Sequence, residues 1–239
     1  MTTLEENLEK LEAAITAACR NSGRSRAEVE LMAISKTYPA ETITEATHLG
    51  LTLFGESRVQ ELAAKSTALN PLRANIGIHL IGHLQTNKAQ RAVELFDAVD
   101  SLDSLRLAER LNEAASKLAT HLPVLIEVKL SPEESKAGLD PDSAEAAALL
   151  ERLPDFDHLE ARGLMTIAPF GVSENQTRAC FRALRQLRDR WAAAYPRLTL
   201  NVLSMGMSGD FPLAIAEGAT RIRVGTALFG ARTATTERS

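Results

Sequence analysis

The chain has 239 residues and a formal net charge of −4, with 45% hydrophobic and 24% charged residues. That balance suits a globular protein with a full core, and its acidic charge gives no electrostatic reason to expect nucleic acid as a partner. The length fits one α/β barrel or two small domains, and no apolar run approaches the roughly 20 residues that span a bilayer, so no membrane partner is expected.

A helix is predicted at about residues 3–20, where Leu4, Leu8, Leu11 and Ile15 share one face and Thr3 with Glu6 is placed as a capping box. Its opening, Thr3-Leu4-Glu5-Glu6-Asn7, has no basic region followed by an apolar run, which predicts no secretory signal. Cys19 and Cys180 lie far apart in helix-like segments and match neither a metal spacing nor a disulfide framework. They read as reduced thiols, which points to the cytoplasm.

The run Leu31 to Lys36 is too short for a helix and suits a strand buried on both faces. After Pro39 a helical stretch is expected to end at Gly50, then Leu51 to Gly55 reads as a second strand. Ile78 to Gly82 is strand-like, a helix is expected from near Gln85, and Phe96 to Val99 is a short strand. Leu102 to Leu118 is amphipathic, Val124 to Val128 is a strand, and an alanine-rich helix is predicted over 141–152. Ala161 to Ile167 is strand-like, and Ser173 to Tyr195 is a long helix with Cys180, Leu184, Leu187 and Trp191 on one side and Pro196 as its stop. Along it Arg178, Arg182, Arg185, Arg188 and Arg190 recur at helical spacings, as expected of a solvated face. Leu198 to Leu203 is a seventh strand, a short helix ends at Gly218, and Arg221 to Val224 is the eighth.

Eight apolar runs separated by helical patterns predict a parallel sheet, and closing it into a single (β/α)8 TIM barrel removes both sheet edges. An open doubly wound sheet is the alternative. With no low-complexity linker, residues 1–239 are expected to form one domain, the first helix being an addition to the barrel.

In such a barrel the active face is the C-terminal end of the strands. Lys36 directly follows a buried strand; partial desolvation lowers a lysine pKa and makes the amine a better nucleophile towards an aldehyde. The bland reading is a lysine pointing into solvent, and Lys129 at another strand end is a second candidate on the same logic. Ser204 to Gly209 holds two glycines and two serines in six residues, which suits backbone and hydroxyl donation to an anion. Gly225 and Thr226 supply the same chemistry next door, where phosphate sites recur in these barrels. Tight turns without a ligand are the alternative. Arg223 alternates with Ile222 and Val224 and could point into the barrel top or form a structural salt bridge; His83 is a local hydrogen-bonding residue or a catalytic one. A phosphorylated aldehyde spanning the mouth would satisfy both the lysine and the cradle, and pyridoxal 5′-phosphate is such a molecule.

These residues resemble the pyridoxal phosphate homeostasis proteins, a family of single-domain barrels similar to the N-terminal domain of bacterial alanine racemase. The matching segments are Ala33 to Thr37, Leu53 to Glu56 with Val59-Gln60-Glu61, His79 to Lys88, Glu133-Glu134-Ser135-Lys136 with Gly138, Gly163 to Thr166, Leu203 to Asp210 and Arg223 to Gly230. The resemblance implies an alanine-racemase-like barrel of the type III pyridoxal phosphate fold. It implies that Lys36 carries the cofactor as a Schiff base, that Arg223 faces the pyridine nitrogen, and that Ser204, Gly225 and Thr226, with Ser208, bind the phosphate. No metal and no catalytic residue is implied. The expected role is to carry or buffer the cofactor in vitamin B6 homeostasis, as a monomer, with apo forms of pyridoxal phosphate enzymes as partners.

Three positions depart from the family pattern. Ser57 replaces a usual asparagine, Ile78 stands where tryptophan is common, and Lys129 stands where asparagine is common. The alternative within the same chemistry is an amino-acid racemase. Racemisation needs a base on each face of the carbanion, and the racemases supply one from a tyrosine in a second domain. Neither Tyr38 nor Tyr195 occupies a matching position. A barrel enzyme acting on a phosphorylated sugar, with Lys36 forming its Schiff base to substrate, is the third reading.

Overall fold

The computed structural model describes residues 3–130 and 137–230; the motif Glu133-Glu134-Ser135-Lys136 lies outside the described residues. The helix α1 (Leu4–Asn21) starts as expected: Thr3 Oγ1 accepts from the Glu6 amide at 3.2 Å, and Glu6 Oε2 accepts from the Thr3 amide at 3.1 Å. It buries Leu11, Ile15, Ala18 and Cys19. Both cysteines are buried, and no disulfide joins them.

Eight parallel strands pair in chain order and close into a barrel. They are β1 (Glu30–Ile34), β2 (Leu53–Glu56), β3 (Gly77–Leu80), β4 (Ala98–Leu102), β5 (Leu122–Glu127), β6 (Leu159–Met165), β7 (Val202–Ser204) and β8 (Arg221–Val224). Closure rests on β1, where Ala33 lies opposite Phe54 on one side and Val224 on the other. Successive side chains alternate between faces. Leu31 and Ala33 therefore pack under the helices, while Met32 and Ile34 form a separate cluster with Leu53 and Ile81.

Outside the barrel lie α2 (Ala40–His48), α3 (Val59–Leu69), α4 (Ala89–Leu95), α5 (Leu105–Lys117), α6 (Ala144–Arg152), α7 (Glu174–Ala194), α8 (Phe211–Ala216) and α9 (Thr226–Phe229). No helix of the described residues is long and apolar enough to cross a membrane.

Several boundaries differ from the sequence reading. Leu102 ends β4 instead of starting a helix, because Ser104 caps α5 by accepting from the Leu107 amide at 3.3 Å. The helix expected from Gln85 begins at Ala89, after a 3-10 turn over Thr86–Lys88. β7 begins only at Val202; Leu198 and Leu200 are buried against the helix layer, which gives them the apolar character of strand residues. The arginine face of α7 is only partly solvated. Arg182 makes a bidentate pair with the buried Glu217 at 2.8 and 3.1 Å, and Arg185 Nη1 donates to the Glu217 carbonyl, so α7 is clamped to the end of α8.

The lower barrel interior is polar. Asp100 accepts from Arg221 Nη1 and lies 3.0 Å from His79 Nδ1, and Arg221 Nε also donates to Glu30. Burial pushes the Asp100 pKa up, but His79 and Arg221 hold it below the usual carboxylate range. A floor of satisfied charges leaves the reactive possibilities to the opposite end.

Candidate functional site

At the C-terminal ends of β1, β7 and β8 is a cavity of about 420 Å³, a size typical of small-molecule sites. Lys36, Ser208, Arg223, Gly225 and Thr226 line it together, and Ile34, Tyr38, Phe170, Met207 and Gly209 complete it. Five of the six residues expected from the sequence thus share one space. Ser204 lies one layer deeper, fully buried.

Lys36 is half-buried and directly follows the fully buried Ser35. The chain turns there, with the Tyr38 amide donating to the Ser35 carbonyl at 3.1 Å and Thr37 at φ 70°, in the left-handed region that few non-glycine residues adopt. The Thr37 amide donates to the Glu61 carboxylate from α3. Tyr38 packs on Phe229 with ring centroids 5.0 Å apart, and its hydroxyl donates to the Gly230 carbonyl at 2.9 Å.

Arg223 is buried and lines the cavity, the first of the two placements its sequence position left open. Its Nη1 donates to Ser204 Oγ at 2.9 Å and its Nη2 to the Thr166 carbonyl at 2.8 Å. Burial pulls its pKa below the usual arginine value, opposed by Asp100, Glu127 and Asp210. A guanidinium nonetheless stays charged in proteins.

The chain after β7 needs Gly206. Its φ is 95°, and a Cβ there would come within 2.5 Å of Ala214 Cβ. Beyond it the Met207 amide donates to Asp210, and the Ala227 amide donates to Ser208 Oγ at 3.3 Å, tying the two loops together. The amides of Ser208, Gly209, Gly225 and Thr226 donate to no partner among the described residues. With the hydroxyls of Ser208 and Thr226, they form a concave set of donors suited to an anion.

A second cavity of about 220 Å³ lies beside the first, lined in part by His83, Glu127 and Lys129. Lys129 is therefore separated from the donor set that surrounds Lys36. His83 Nδ1 lies 3.0 Å from Asp103. Glu127 ends β5, is 5% exposed, and its Oε2 has no hydrogen-bond partner among the described residues. Burial, reinforced by Asp103, pushes its pKa to about 7 against the opposing pull of Arg223 and His83. The other departures lie elsewhere: Ile78 is buried in the helix-layer core, and the Ser57 backbone backs onto Gly82. Among the described residues no cluster of three or more His, Cys, Asp or Glu is placed to hold a metal.

Sequence reasoning missed Phe170, Glu127 and the cavity position of Tyr38. Tyr38 could have been found from its place two residues after Lys36. Nothing local brings Phe170, beyond β6, to the same mouth.

Residues 7–233 match the family model described as alanine racemase, N-terminal domain. The chain is 38% identical over 237 residues to the pyridoxal phosphate homeostasis protein of Haemophilus influenzae, covering 99% of each. The chain belongs to the pyridoxal phosphate homeostasis protein family. The Escherichia coli K12 protein of that name is 39% identical over 234 residues, covering 97% of this chain and 98% of that one. Among solved structures, PipY of Synechococcus elongatus PCC7942 with PLP bound is 43% identical with a TM-score of 0.85, covering 95% of this chain and all of PipY. Alanine racemase of Clostridium difficile 630 is 15% identical with a TM-score of 0.70; the match covers 97% of this chain but 57% of the racemase, and shows the shared fold alone.

Proposed function

We propose that the chain binds pyridoxal 5′-phosphate at the barrel mouth and carries or buffers it in vitamin B6 homeostasis, without catalysing a reaction of its own. The observation that carries this reading is the single cavity that joins a lysine amine, a buried guanidinium and a set of unpaired amides. The names of the relatives and the PLP-bound PipY structure support it.

The residues present fit the group. When bound, the cofactor supplies an aldehyde carbon with which a lysine amine condenses, losing water. Lys36 is the amine in this cavity. Arg223, held by Ser204 and Thr166, offers a fixed cation to an aromatic nitrogen acceptor. The amides of Gly225 and Thr226, with Ser208 and the Thr226 hydroxyl, take the phosphate through charge-assisted hydrogen bonds. Residues 1–239 act as one domain and as a monomer in the cytoplasm, with apo forms of pyridoxal phosphate enzymes as recipients.

The test is an absorption spectrum of the protein with pyridoxal 5′-phosphate, followed by borohydride reduction and peptide mapping. A visible band and a label on Lys36 are expected, and Lys36→Ala abolishes both. A label on Lys129 in place of Lys36 would overturn the assignment.

A further inference from the structure

Beneath the Lys36 turn lies a buried ionic cluster for which cofactor binding has no direct use. Lys65 of α3 is 9% exposed, and its Nζ reaches three acceptors: the Ser35 carbonyl at 3.2 Å, Glu56 Oε1 at 2.8 Å and Glu61 Oε1 at 2.9 Å. Glu56, completely buried, also accepts from Ser35 Oγ at 2.7 Å. Glu61 accepts from the Thr37 amide.

The residues on either side of Lys36 are therefore both tied to one cluster, Ser35 by its carbonyl and hydroxyl, Thr37 by its amide. Thr37 is held in the left-handed region, which a threonine does not adopt without compensation. Buried ion pairs are poor stabilisers, because desolvating the charges offsets their attraction and apolar packing often does as well. What they supply, and apolar packing does not, is direction. Lysine has a long flexible stem, so where its amine goes depends on how firmly its backbone is aimed.

We propose that Lys65, together with Glu56 and Glu61, is a positioning device that fixes the backbone on both sides of Lys36 and so aims its amine into the mouth cavity. This rests on the reading that Lys36 captures an aldehyde there. It adds residues from β2 and α3 that do not line the cavity and would touch neither ring nor phosphate.

The test separates covalent capture from simple docking. Dissociation constants are measured for pyridoxal 5′-phosphate and for pyridoxine 5′-phosphate, which keeps ring and phosphate but has an alcohol in place of the aldehyde. The variants are Lys65→Met, Glu61→Ala and Glu61→Gln, the last keeping an oxygen acceptor for the Thr37 amide. Since small misplacements of reacting groups are costly, Lys65→Met and Glu61→Ala should weaken the aldehyde ligand about tenfold or more, leave the alcohol ligand within about twofold, and Glu61→Gln should stay near the parent. Equal losses for both ligands, or no loss for either, overturn the positioning role. If Lys65→Met does not fold, Glu61→Ala at the half-buried edge of the cluster decides the matter. A parent protein that fails to prefer the aldehyde overturns the Lys36 reading and this inference with it; a parent that prefers it, beside variants that prefer it equally, overturns the positioning alone.

Discussion

Arg223 Nη1 donates to Ser204 Oγ at 2.9 Å, and neither residue is more than 4% exposed. Arg223 lines the cavity and Ser204 does not, which favours Ser204 acting through that guanidinium over direct contact with a ligand. Ser204→Ala is expected to weaken pyridoxal 5′-phosphate and unphosphorylated pyridoxal alike. Thr226→Val and Ser208→Ala should weaken only the phosphorylated ligand, by about tenfold each, since a hydrogen bond to a charged group contributes about 1.5–3 kcal/mol. Calorimetric titration with both ligands checks this. A loss confined to the phosphorylated ligand in Ser204→Ala would place that hydroxyl on the phosphate.

Glu127 makes stability depend on pH. Its carboxyl ionises near 4.5 when unfolded and at about 7 when folded, because burial disfavours the charge. Between those values the unfolded state loses its proton first, so the contribution is intact below pH 4.5 and declines as pH rises through 7. At about 1.4 kcal/mol per pKa unit the loss reaches up to about 3 kcal/mol. Glu127→Gln should leave the thermal midpoint of the ligand-free protein unchanged at pH 4 and raise it by several degrees at pH 8. An equal shift at both pH values would assign the effect to packing.

Gly206→Ala combines an unfavourable φ with a clash, since the new Cβ would lie 2.5 Å from Ala214 Cβ and 3.1 Å from Phe211 Cα. Both neighbours belong to α8, so the loop after β7 must shift. A cost of about 2 kcal/mol or more in urea unfolding is expected. Weaker binding of the phosphorylated ligand should accompany it, because Ser208 lies on the same loop.

Tyr38 lines the cavity, but its hydroxyl donates to the Gly230 carbonyl at 2.9 Å, which ties up its proton. Tyr195, the C-cap of α7, is not among the residues that line the cavity. Incubated with pyridoxal 5′-phosphate and L- or D-amino acids in deuterium oxide, the protein should show no sustained α-hydrogen exchange. A rate of about 1 s⁻¹ or more, the low end of enzyme turnover, would replace the carrier reading with an enzyme.

Local patterns in the chain were enough for the alternation of strands and helices, the Thr3–Glu6 capping box and the stop at Gly50. Each depends on residues a few positions apart, whose spacing is dictated by the helix and strand repeats. Leu102 and Leu198 show where that ends. An apolar residue suits a strand end, a helix start or a packed loop equally, and only the Ser104 cap and the helix-layer core chose among them.

Where Lys36 and Lys129 lie relative to the donor set was decided by the tertiary structure. Both follow buried strands, and no spacing separates them. Barrel closure does, by pairing β1 with β8 so that Met32 lies opposite Arg223 and Ala33 opposite Val224. That register carries Lys36, Gly225 and Thr226 to one rim, while Lys129, just beyond β5, lines a different cavity. The clamps Glu61–Thr37 and Arg182–Glu217 have the same origin. Contacts between segments distant along the chain follow from how the closed sheet brings strand ends and helices together, a long-range consequence of register that no local periodicity encodes.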